Sequence, residues 1–125
     1  MDQGRVSNTS IILMSLLCIL VFHSNMSFAA EYIVGDGKGW SFHVQNWTLG
    51  KTFKEGDILV FNYTPVIHNV VIVNELQYNS CVAIGGSKFY YKGADRITLA
   101  KGANYFICGT PFHCNLGMKI AVNAS

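Results

Sequence analysis

Hydrophobic residues fall in short runs along most of this chain, and turn residues separate the runs. Glu31-Tyr32-Ile33-Val34 leads into the glycine-dense Gly35-Asp36-Gly37-Lys38-Gly39. Glu55-Gly56-Asp57 opens Ile58-Leu59-Val60-Phe61-Asn62-Tyr63; Pro65 interrupts, and Val66-Ile67-His68-Asn69-Val70-Val71-Ile72-Val73 follows. β-Branched and aromatic runs bounded by Gly, Pro, Asn and Asp predict strands, because branched side chains pack well on a pleated surface. Asn74–Ser80 reads as one helical turn or a loop. Arg96-Ile97-Thr98-Leu99 alternates, Lys101–Asn104 turns, and Tyr105–Cys108 forms the next strand. Met118, Ile120 and Val122 then share one face of a last strand. No long amphipathic helix is predicted. The expectation is an all-β domain, a two-sheet sandwich or small barrel with short helical turns, with Trp40, Trp47, Phe53, Phe61 and Phe106 in its core.

The start of the chain departs from this pattern. Arg5 lies in a short polar stretch ahead of an apolar run from Ile11 to Phe22. That run is shorter than the roughly 20 residues a spanning helix needs and suits the core of a secretory signal. Ser27 and Ala29 are small residues at the two positions a signal peptidase reads, which places cleavage after Ala29. Cleavage one residue later would put bulky Phe28 in the first of those positions. Residues 1–29 are thus expected to be a signal peptide, 30–125 the exported domain, and the product extracellular with no membrane anchor.

Composition sharpens this. The chain has 125 residues, half of them hydrophobic and 13% charged, which suits one folded domain and excludes wholesale disorder. The formal charge of +2 comes without a Lys/Arg run, which argues against a nucleic-acid partner. Loss of Cys18 with the signal leaves Cys81, Cys108 and Cys114, an odd number in an oxidising compartment. Two can pair; the third thiol needs another role.

The segment Cys108-Gly-Thr-Pro-Phe-His113-Cys114-Asn-Leu-Gly-Met118 supplies that role. It offers a thiol, an imidazole and a thioether at equal spacing between two strands, and His68 on an earlier run is a second imidazole. A thiolate, two imidazoles and a weak thioether suit copper cycling between its two oxidation states, since sulfur favours Cu(I) and imidazole serves both. Cys108 is then protected as a metal thiolate and Cys81 pairs with Cys114. The side chain of Cys114 diverges from that of its neighbour His113 in extended chain, which makes it a poor further ligand. Zinc would want more thiolates or histidines and would leave Met118 unexplained. A Cys108 nucleophile with His113 as base lacks an Asp or Asn orienter nearby. A multicopper oxidase needs more histidines than the chain holds, and His43 is read as structural or merely exposed.

Across Glu31–Gly35, Gly56–Tyr63 and Gly117–Ala124, together with the Cys108–Met118 loop, the chain resembles the phytocyanins, the plant blue copper proteins. The resemblance implies a cupredoxin-like Greek-key β-sandwich that binds one copper ion and transfers single electrons without being an enzyme. It puts the ligands on His68, Cys108, His113 and Met118, and the disulfide on Cys81 and Cys114. Methionine at 118, where the stellacyanin branch has glutamine, points to the plantacyanin or basic blue branch. By the same resemblance Asn69 helps orient the copper loop, and the His113 edge is the electron route. Phe112 stands where family members often carry glycine, so a docking role falls on it. A monomer serving a redox partner or a small redox-active molecule is expected. The rival reading is a cell-wall or signalling protein, for example in plant reproduction, whose copper is structural or dispensable. Asn46, Asn62 and Asn123 head glycosylation triplets, Asn46 in the most polar surroundings.

Overall fold

The computed structural model describes residues 8–25 and 28–125. Helix α1 covers Asn8–Asn25, and Ile11, Leu13, Met14 and Leu17 along it are all exposed. It is apolar on every side, so it has no polar face to turn outward in a globular fold. No described helix is long and apolar enough to cross a membrane. Arg5 and Ser27, two marks of the expected signal peptide, lie outside the described residues.

The rest is a sandwich of two sheets. β1 (Glu31–Ile33), β2 (Ile58–Asn62) and β5 (Ala94–Thr98) form one, in the order β1-β2-β5. β3 (Val70–Val73), β4 (Lys88–Tyr90), β6 (Gly102–Ile107) and β7 (Lys119–Ala124) form the other, in the order β4-β3-β6-β7. Pairing is antiparallel except for β1 with β2. The all-β sandwich expected from the turn spacing is the observed one.

Alternation sets the two faces of each sheet. Leu59 and Phe61 of β2, Ile97 of β5 and Ile120 and Val122 of β7 point into one core with Trp40, Phe53 and Phe106. Full burial of such a side chain contributes about 1.5–3 kcal/mol, so this layer supplies most of the driving force. Trp47, expected in the core, is only half-buried: its indole N–H donates to an Asp36 carboxylate oxygen at 3.0 Å and keeps that edge at the surface. A second cluster, Val71, Val73, Ile107 and Cys114, lies on the outer side of the four-stranded sheet.

Two local readings resolve here. Asn74–Ser80 becomes α2 (Glu75–Ser80), because Asn74 and Gln77 each accept the other's backbone N–H at 2.9 Å. These reciprocal bonds satisfy donors that a helix start leaves open. The strand expected from Val66 begins only at Val70. Val66 has φ +77° and the His68 N–H donates to the Thr64 carbonyl at 3.2 Å, so this stretch closes a turn instead of joining the ladder. β4, which the pattern did not announce, is a three-residue edge strand beside β3.

Candidate metal centre

Three segments converge at one end of the sandwich: the turn before β3, the end of β6, and the loop from β6 to β7. His68 comes from the first, Cys108 from the second and His113 from the third. Their ligand atoms all lie within 4.8 Å of one another. The two Nδ1 atoms are 3.0 Å apart, and the Cys108 Sγ is 3.7 Å from the His113 Nδ1. Cys108 is buried, while both imidazoles are half-buried.

Backbone bonds fix the loop that carries two of these groups. The Cys108 N–H donates to the Met118 carbonyl at 3.0 Å, and the Met118 N–H to the His113 carbonyl at 3.1 Å. Met118 is fully buried in the core beside Cys108. Gly117 makes the turn between them with φ +80°; a side chain there would press on the His43 backbone at 3.1 Å. Gly109 is needed for a different reason: a Cβ would meet Val71 at 2.9 Å and the Asn69 amide oxygen at 3.1 Å.

Asn69 ties the loops together. Its side-chain oxygen accepts the Gly109 N–H at 2.6 Å and its carbonyl accepts the Trp40 indole N–H at 2.8 Å. Thr110 adds a bond from its hydroxyl to the Ile67 carbonyl at 2.9 Å. The turn bearing His68 is thereby linked to the loop bearing His113. Cys81, at the C-terminal end of α2, is bonded to Cys114, which directly follows His113. Cys108 is the free thiol among the described cysteines, so the expected division of the three cysteines is the observed one.

The donor set has the chemistry of a copper site. Burial, together with the His113 ring beside it, holds the His68 imidazole below the ordinary histidine value. A neutral imidazole keeps a lone pair available to a metal. One soft sulfur and two borderline nitrogens, with the Met118 thioether buried in the same core cluster as Cys108, suit a Cu(I)/Cu(II) couple better than zinc. Among the described residues this is the cluster able to hold a metal.

Pattern reading missed Phe42. Its ring meets His113 edge-on at 4.7 Å and His68 at 5.6 Å, so it walls one side of the site. Nothing in the short Ser41-Phe42-His43 stretch distinguishes it from an ordinary turn residue. His43 stays outside the cluster. Phe112 is 79% exposed with φ +69°, so its ring stands off the surface. Asn46, Asn62 and Asn123 are all exposed, the last two on β2 and β7.

Residues 40–118 match the family model for the plastocyanin-like domain. The chain is 48% identical over 126 residues to a chemocyanin of Lilium longiflorum, covering all of both chains. Among solved structures it is similar to a cucumber basic protein, described as a blue copper protein. That match has TM-score 0.76 and 52% identity, over 77% of this chain and all of the other. It is also similar to spinach plantacyanin, with TM-score 0.65 and 54% identity, over 70% of this chain and 94% of the other. Together with the thiol and two imidazoles gathered at the loop end, these likenesses settle the family: the chain is a phytocyanin, a copper-binding electron-transfer protein.

Proposed function

We propose that His68 and His113 through Nδ1 and Cys108 through Sγ would hold copper strongly, with the Met118 thioether as a weak further donor. The observation that carries this is the convergence of a buried thiol and two imidazole nitrogens within 4.8 Å. Bound there, copper supplies a one-electron couple. The chain's own residues do the rest. Burial of Cys108 keeps water from the sulfur, and Asn69, the disulfide and the Gly109 and Gly117 turns hold the donors in one arrangement. A preset arrangement needs little movement when charge changes. The half-buried histidine edges give electrons a short way in and out.

We infer further that the chain acts as a carrier rather than an enzyme. Its four histidines are too few for a second, oxygen-reducing copper cluster. The reading includes export, with cleavage after Ala29 and extracellular residence, supported by the apolar Ile11–Phe22 run and by a disulfide, a bond that is rare in reducing compartments. Asn46, Asn62 and Asn123 remain the proposed glycosylation acceptors. The visible spectrum of the purified, copper-loaded protein is the test: copper–thiolate bonding gives an intense band at about 600 nm. Cys108→Ser is expected to abolish the band. A colourless copper-loaded protein, or a blue Cys108→Ser variant, overturns the ligand set.

A further inference from the structure

A recess of about 160 Å³ lies beside the metal centre and shares the Phe42 ring with it. Lys38, Ser41, Phe42, His43, Val44 and Trp47 line it. A cavity of about 150 Å³ holds one benzene molecule, so the space suits a single ring. The lining is of two kinds. Phe42, Val44 and the Trp47 indole supply apolar and aromatic surface, while Lys38 and His43 supply N–H donors and Ser41 a hydroxyl. Concave aromatic surface with a few convergent polar groups is the usual make-up of a small-molecule site.

The two nitrogen donors are unspent. Among the described residues neither the Lys38 amine nor the His43 imidazole has a hydrogen-bond or ion-pair partner. By contrast Lys51 donates to the Trp47 carbonyl at 2.8 Å and Lys119 to the Tyr78 carbonyl at 3.0 Å. Asp36, the nearest acid along the chain, accepts the Trp47 indole N–H at 3.0 Å and lies outside the lining. An anion entering the recess therefore meets an ammonium group and an imidazole, with no carboxylate among the lining residues. A bare inorganic anion would leave the aromatic surface unused, and a neutral ring would leave the ammonium unpaired.

We propose that this recess binds a small aromatic carboxylate, its ring against Phe42 and Trp47 and its carboxylate on Lys38 and His43. Two features tie the recess to the metal centre. The Phe42 ring that lines it also meets His113 at 4.7 Å and His68 at 5.6 Å. The lining segment is strapped to the metal loop: the His43 N–H donates to the Leu116 carbonyl at 3.1 Å and the Val44 N–H to the Gly117 carbonyl at 3.0 Å. These bonds hold His43 at φ +57°, a region few side chains adopt. The proposal rests on the electron-carrier reading and deepens it, by naming the class of small molecule held one ring away from the ligand imidazoles.

The test is amide NMR of the copper(I)-loaded, diamagnetic protein titrated with 4-hydroxybenzoate. For a one-ring ligand in an open recess the expected Kd is about 1 mM. Saturable shifts are expected at residues 35–47 and at 116–117, with NOEs from the ligand ring to the Phe42 and Trp47 rings. 4-Hydroxybenzamide, which lacks the charge, and 4-hydroxycyclohexanecarboxylate, which lacks the aromatic ring, should each bind about three- to fivefold more weakly. Lys38→Gln should weaken 4-hydroxybenzoate by a similar factor and keep the Tm of the parent, whereas Lys101→Gln, on the turn between β5 and β6, should bind as before. Absence of saturation below about 10 mM overturns the proposal. So does an unchanged affinity in Lys38→Gln, or shifts scattered over the other lysines. Equal binding of the amide or the cyclohexane acid, or displacement by equimolar inorganic phosphate, overturns the ligand class. Failure of the carrier reading shows separately, as a copper-loaded protein without the blue band.

Discussion

Replacing Cys81 and Cys114 together by alanine should cost this protein much of its stability and loosen its metal loop. The bond joins the end of α2 to the residue after His113 and closes a loop of sequence separation 33. In the chain-entropy model a loop of that size is worth about 3.7 kcal/mol at 25 °C. The sulfur of Cys114 also packs among Val71, Val73 and Ile107, and emptying that volume adds roughly 1 kcal/mol. A domain of this size is stable by about 5–15 kcal/mol in total, so the loss is a large share. Each kcal/mol shifts Tm by about 4–8 °C at this size, which makes the loop term alone about 15–30 °C. Urea unfolding of the metal-free protein is the proper assay, because bound copper adds its own stabilisation by mass action. A loss below about 1 kcal/mol with an unchanged m-value would refute the loop argument. The same variant reports on the site. His113 then loses its covalently tethered neighbour, so copper should pass to a chelator faster than from the parent protein. An unchanged transfer rate would show that the hydrogen bonds through Asn69 and Met118 position the loop by themselves.

Met118→Gln should keep copper bound and lower the reduction potential by voltammetry, since an amide oxygen is a harder donor than a thioether; an equal or higher potential would remove Met118 from the ligand set. Phe112→Gly should leave Tm unchanged or slightly raised: relief of the left-handed strain, roughly 1–2 kcal/mol, outweighs the entropy penalty of glycine, about 0.5–1 kcal/mol. A fall of more than about 10 °C would mean that the ring packs, as truncation of a buried Phe costs about 3–5 kcal/mol. Tyr63→Phe should destabilise the protein by about 1.5–3 kcal/mol near neutrality, because the phenol donates to the buried Asp95 carboxylate. It should also flatten the alkaline decline in stability. Burial, then the bond to Asp95, raises the Tyr63 phenol above its ordinary 10.0, so the unfolded chain loses that proton first and stability falls as pH rises beyond 10. Urea midpoints measured across that range check both effects, and an equally steep decline in the variant would contradict the assignment.

Period and parity carried most of what could be read without coordinates. Leu59 and Phe61, and Ile120 and Val122, are buried in the alternation that their spacing announces, because a strand turns every second side chain to the same face. The odd cysteine count, with a thiol, an imidazole and a thioether spaced along one loop, selected Cys108, His113 and Met118. The two ends of the Cys81–Cys114 bond are legible for the same reason. What failed was local. The Val66–Asn69 stretch has the composition of a strand, yet its backbone turns to bring His68 to the site, and no side-chain pattern records a positive φ at a valine. Phe42 carried no signal at all, since an aromatic beside a histidine becomes a wall of the site only when two distant loops close on it.

By itself, then, the sequence determined the elements, their inward faces, the class of metal and the residues able to bind it. These depend on residue type and on separations along one loop. Only the tertiary structure decided that His68 reaches the Cys108–Met118 loop from 40 residues away along the chain, held by the Asn69–Gly109 bond. It also decided that Val66 and Phe112 stand outward on adjoining loops. Contacts between segments remote in sequence follow from how the two sheets pack and which loops meet at their end, and hydrophobic period does not encode that.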